Sequence, residues 1–113
     1  MRENDKPVFI YSTFPTVESA ESVGGALVEG GLAACVNILP GMTSIYVWQG
    51  ARHRDSEVVM IIKTMADLAD RVIAEARRQH PYTNPALVVL PVTGGSADFL
   101  EWIGQQTSRP AAS

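Results

Sequence analysis

Residues 32–64 read LAACVNILPGMTSIYVWQG, then ARHRD, then SEVVMIIKT. Two apolar, β-branched runs flank a segment holding Gln49, Gly50 and the charges Arg52, Arg54 and Asp55. That is the pattern of a β-hairpin with its polar residues at the turn. Along 44–48, Ile45 and Val47 point one way while Tyr46 and Trp48 point the other, so both faces are apolar and both need cover. Fully extended, residues 32–48 would span roughly 55 Å, whereas a compact domain of this size is about 35 Å across. Pro40-Gly41 must bend or bulge the strand, because Pro donates nothing to a ladder and Gly marks bulges. Even bent, the arm overshoots, and an exposed edge of this kind is either paired or covered. Other copies of the same chain are the expected cover. The plainer alternative is two strands with a loop at 39–42, both kept inside one monomer.

The chain around this hairpin has 113 residues, enough for one domain with its own core. Its 46% hydrophobic and 19% charged composition is that of a folded globular protein. A net charge of −3 argues against nucleic acid as the main partner, since phosphate binding needs a basic stripe. No run of 18 apolar residues is present, so no membrane span is expected. The polar start MRENDKP is unlike a signal peptide, and a cytoplasmic location is expected. The single cysteine, Cys35, excludes an internal disulfide and a Cys-x-x-Cys metal knuckle. Residues 1–7 and 107–113 read as loose tails outside a core of 8–106.

From the N-terminus, VFIYSTF (8–14) is a β-rich run with little alternation, stopped by Pro15. Thr16 is a good N-cap for a helix whose apolar positions are Ala20, Val23 and Leu27, and Gly30-Gly31 ends it. Gly24-Gly25 in its middle would be explained by a close approach to the sheet. Beyond the hairpin, residues 65–79 carry an apolar stripe of Met65, Leu68, Ala69, Val72, Ile73 and Ala76, the clearest helix in the chain. His80-Pro81 breaks it. ALVVLPV (86–92) is a final strand that Pro91 places at a sheet edge. Ser96 then caps a short helix through about 106, with Phe99 and Ile103 on its buried side. The order β-α-β-β-α-β plus a terminal helix predicts an α+β, ferredoxin-like sandwich, with helices on one face of a four-stranded antiparallel sheet.

Few residues suggest chemistry. Cys35 lies among small apolar neighbours and reads as a buried hydrophobe. His53 falls in the charged hairpin tip and reads as solvated. His80 sits at a helix C-terminus, where its ring can satisfy a last carbonyl. With no second histidine at helical spacing, a metal site would have to come from Cys35 and His80 with a Met sulfur, a soft set suiting copper better than zinc. Glu57 and Lys63 open and close an apolar strand and share a face. Either each simply reaches water, or they join Tyr46, Trp48, His80 and Tyr82 around a cleft between subunits, with the aromatic walls of a small-ligand pocket. No phosphate loop, Ser/His/Asp pattern or HExxH is present, so catalytic residues are not expected.

The segments LAACVNILPGMTSIYVWQG, DSEVVMIIKT and HPYTNPALVVLPV, ending in DFLEWI, closely resemble the divalent-cation tolerance family CutA over about residues 8–103. The resemblance implies a homotrimer, similar in architecture to the PII signalling proteins, with each hairpin joining its neighbours. It also implies a cytoplasmic, non-enzymatic role in tolerance of copper and other divalent metals, with no required cofactor. Some members are described with copper ligands at a cysteine ending the first strand and at a His pair before Pro-Tyr. Here those places hold Ser12 and Gln79-His80, so only His80 carries over. The acidic residues usual after His-Pro-Tyr and after the following Pro are replaced by Thr83 and Ala86. The expectation is therefore a homotrimeric binding or regulatory protein holding copper or another divalent metal weakly near His80. A PII-like small-molecule sensor and a protein-binding scaffold are the alternatives.

Overall fold

The computed structural model describes residues 5–107. The elements run β1 (Pro7–Phe14), α1 (Val17–Glu29), β2 (Cys35–Trp48), β3 (Ala51–Met65), α2 (Ala69–Gln79), β4 (Leu87–Pro91) and α3 (Ala97–Gln106). The four strands form one antiparallel sheet in the order β2-β3-β1-β4, the ferredoxin-like arrangement. Alternation along the strands sorts the side chains into two faces. Val8, Ile10 and Phe14 of β1 with Val58, Met60 and Ile62 of β3 form the core face, packed against Ala20, Val23 and Leu27 of α1 and Val72 and Ala76 of α2. On the opposite face α3 covers one end, where Ile103 and Leu100 pack with Phe9, Ala34 and Met65. α1 and α2 thus share one face of the sheet, as expected for the sandwich, and the extra C-terminal helix takes the other.

Local chemistry accounts for the boundaries. Thr16 and Ser19 form a reciprocal capping box at the start of α1, the Ser19 N–H donating to Thr16 Oγ1 at 3.1 Å. Gly24 is buried, and a Cβ there would lie 2.8 Å from both Met60 Sδ and Val36 Cγ2, so the helix meets the sheet closely at this point. Gly25, by contrast, has open space around it. The expected helix over 65–79 begins later: Met65 is extended and pairs with Pro7, a 3-10 turn spans Ala66–Leu68, and α2 starts at Ala69. A run of buried apolar residues does not show where strand gives way to helix: Met65 packs with Ile103 on the α3 side, while Leu68 and Ala69 belong to the main core. At the chain ends, residues 1–4 and 108–113 lie outside the described part. Pro7 is paired in β1, and Thr107 is buried with its hydroxyl donating to the Ile103 carbonyl at 3.2 Å.

The hairpin is longer and its turn tighter than the sequence suggested. Gln49 and Gly50 have φ values of 50° and 79°, a two-residue turn of the type that matches strand twist. The ARHRD segment, expected as the link, is instead the start of β3, with Val47 opposite Arg52 and Tyr46 opposite His53. His53 is accordingly half-buried and stacked on Tyr46 at 5.3 Å between ring centres, not free in solvent. Pro40-Gly41 forms the expected bulge: β2 advances from Leu39 to Met42 while β3 advances only from Val59 to Glu57. The hairpin stretches the molecule to 47 × 29 × 22 Å, with a radius of gyration of 14.9 Å against about 13 Å for a compact chain of 100 residues.

Candidate functional site

The extra residue at Pro40-Gly41 decides what the hairpin presents. Before the bulge Val36 and Ile38 are the core-facing residues of β2, paired with Ile62 and Met60. One inserted residue inverts the alternation. Tyr46 and Trp48 therefore join the face of Asp55 and Glu57, opposite the core, and Ile45 and Val47 take the other. The turn after His80 closes a cleft over that face. His80 is extended (φ −72°, ψ 138°), as a residue before proline must be, and carries Tyr82 across the end of the sheet. The resulting cleft of about 630 Å³ is walled by Tyr46, Trp48, Tyr82 and Pro81, with Asp55 and Glu57 in it.

Two tyrosine–carboxylate pairs organise the cleft. The Tyr82 hydroxyl donates to Glu57 Oε2 at 2.8 Å, and the Tyr46 hydroxyl donates to Asp55. Burial, then the bond to Glu57, pushes the Tyr82 hydroxyl's pKa well above that of a free tyrosine. Tyr46 is raised as well, chiefly by its bond to Asp55. Behind Tyr82, His80 is buried and stacked on Phe14 at 4.2 Å. Its Nδ1 accepts the Tyr82 backbone N–H at 3.0 Å, so Nδ1 carries no proton, and Nε2 donates to the Thr13 carbonyl at 2.8 Å. The ring is thus held as the neutral tautomer. Burial lowers its pKa, outweighing the bond to Thr13 and the charge of Glu57, which act the other way.

Of the residues singled out from sequence, Tyr46, Trp48, Glu57 and Tyr82 converge on the cleft, with His80 beneath it. Lys63 does not join them. It lies roughly 20 Å from Glu57 along β3, with its ammonium over the rings of Phe9 and Phe99 at 5.5 and 5.2 Å. Phe99, expected on the buried side of α3, is 40% exposed. Cys35 and His80 are also kept apart. Cys35 pairs with Lys63, opposite Phe9, whereas His80 binds Thr13 four residues along β1 and two strands over. By strand spacings that is on the order of 15 Å. Sequence reasoning missed Asp55, assigned to the link; its position two residues before Glu57 on one strand was the available signal.

A metal centre of thiolate and imidazole finds no fit in these residues. Both His80 nitrogens are engaged in hydrogen bonds. Ser12 is fully buried on the helix-facing side of the sheet, its hydroxyl without a partner. Thr83 and Ala86 line the cleft but supply no carboxylate. Among the described residues no group of three His, Cys, Asp or Glu side chains is placed to hold a metal ion. No helix among them is long and apolar enough to cross a membrane.

A ferredoxin-like α+β sandwich with an overlong, bulged hairpin and an aromatic cleft at its base defines the class. Comparison with known proteins gives the family: the family described as CutA1 divalent ion tolerance protein matches residues 8–106. The divalent-cation tolerance protein CutA of Thermus thermophilus is 42% identical over 95 residues, covering 84% of this chain and 92% of the relative. The corresponding protein of Pectobacterium atrosepticum is 40% identical over 104 residues, covering 88% and 94%. The chain spans only 60% of the chloroplastic CutA of Arabidopsis thaliana, which is 39% identical over 95% of this chain. Among solved structures, CutA1 from Oryza sativa superposes with a TM-score of 0.90 at 34% identity, covering 96% of this chain and all of that one. CutA from Xylella fastidiosa gives 0.89 at 36% identity, with 92% and 100% covered. The chain belongs to the CutA1 divalent ion tolerance family.

Proposed function

We propose that the protein is a cytoplasmic homotrimer with a non-enzymatic, binding or regulatory role in tolerance of divalent metal ions, copper foremost. The observation that carries the assembly is the hairpin. Leu39, Ile45, Tyr46, Val47 and Trp48 are 54, 58, 42, 71 and 56% exposed on a single overlong ribbon, an apolar surface that isolated chains rarely leave in water. Family membership supports the metal role. Copper binding is weak in this reading, because the imidazole of His80 has no free lone pair and Cys35 is distant. The engagement of His80 also supports a role without catalysis, since a ring held by two backbone groups is poorly placed to shuttle protons.

Light scattering coupled to gel filtration tests the assembly, with a mass of three chains expected. Titration calorimetry with Cu(II) on the wild type and on His80→Ala tests the metal site. Weak and equal affinities are expected; a strong site lost with His80 would show that the ring turns to bind metal and would reverse this assignment. A second reading, a small-molecule sensor, is favoured by one feature: the cleft is large enough for a ligand and walled by three aromatic rings.

A further inference from the structure

We propose that the cleft between the hairpin and the turn after His80 binds an organic cation, an aliphatic diammonium ion above all. This rests on reading the cleft as a ligand pocket. The charge in it has one sign. Asp55 and Glu57 share a face of β3 two residues apart, hence about 6.6 Å between their backbones. Among the described residues, each is engaged only by a tyrosine hydroxyl, which binds a carboxylate without neutralising it. Arg52 and Arg54, just before them in sequence, alternate to the other face of the ribbon, opposite Val47 and Ile45. The histidine beneath is held neutral. Two carboxylates, Asp55 exposed and Glu57 half-buried, without a counter-charge on this chain therefore suit a cation from outside the fold in a cleft of about 630 Å³.

The walls say what kind. Tyr46, Trp48 and Tyr82 present ring surface, which attracts ammonium groups and buries a hydrocarbon stem, but gives no oxygen set for a hard metal ion wanting six or more ligands. Two carboxylates side by side suit a ligand charged at both ends, with its methylene chain lying across the aromatics.

Three linear four-carbon probes differ only in charge: 1,4-diaminobutane, butane-1,4-diol and succinate. In calorimetric titrations of the full chain, saturable binding of the diamine is expected, with none of the diol or the dianion. Asp55→Asn/Glu57→Gln should weaken the diamine on the order of ten-fold or more. Trp48→Leu, which lies outside the core and keeps an apolar side chain on the ribbon, should weaken it about three-fold without changing the mass. Absence of diamine binding, equal binding of the diol, or an affinity unchanged in folded variants would overturn the proposal. So would Cu(II) binding that disappears with the two carboxylates while the diamine fails to bind, which would give the cleft to the metal. Mass measured on the same samples separates this from the assembly: a trimer that ignores the diamine sinks only the ligand, and a single chain that binds it sinks only the trimer.

Discussion

At the scale of single residues, His80 shows how burial and hydrogen bonding select one protonation state. A proton added to Nδ1 would face the Tyr82 N–H that this nitrogen now accepts, and the charge would sit in a buried site against Phe14. The folded-state pKa is therefore below the ordinary value of 6.5. Between that depressed value and 6.5 the unfolded chain binds the proton and the folded chain does not, so unfolding is favoured as pH falls through this window. Stability from this group is fully present above pH 6.5 and declines below it. Urea midpoints between pH 5 and 7.5 should show that decline, and His80→Phe should flatten it; an equal slope in the variant would assign the effect to other groups. The sequence placed His80 at a helix end before proline, where its tertiary partners, a carbonyl 67 residues away among them, leave no local signature.

Elements are where the reading from sequence was strongest, because periodicity and end signals are local. The N-cap at Thr16, the Pro40-Gly41 bulge and the edge position of the Pro91 strand all follow from chemistry within a few residues. What escaped was decided by contacts distant in sequence or by turn geometry. The ARHRD segment looks like a link by composition, but the Gln49-Gly50 turn suffices to reverse the chain and leaves those residues in the ladder. The paired glycines of α1 separate propensity from packing. Gly25→Ala should stabilise by about 0.5–1 kcal/mol, since helix propensity improves and nothing lies within 4 Å of the new carbon. Gly24→Ala should destabilise by roughly 1–3 kcal/mol, because its methyl must displace Met60 and Val36. Chemical denaturation of the two variants checks this, and a stabilising Gly24→Ala would mean the helix shifts outward freely.

For the whole molecule, the elongated shape follows from one ribbon outgrowing the sandwich that holds its base. Val47, 71% exposed, contributes little to the fold of a lone chain. Val47→Lys should therefore leave a folded protein by circular dichroism while lowering the mass in solution. An unchanged mass would place the contact elsewhere on the ribbon. Both outer strands of the sheet, β2 and β4, also carry a proline, Pro40 in one and Pro91 in the other. Proline cannot donate a ladder hydrogen bond, and it is a residue that border strands use to discourage pairing with a strand from another molecule. Prolines in both border strands disfavour open-ended stacking into fibres, which fits the small, closed assembly proposed above for a chain with so much bare ribbon.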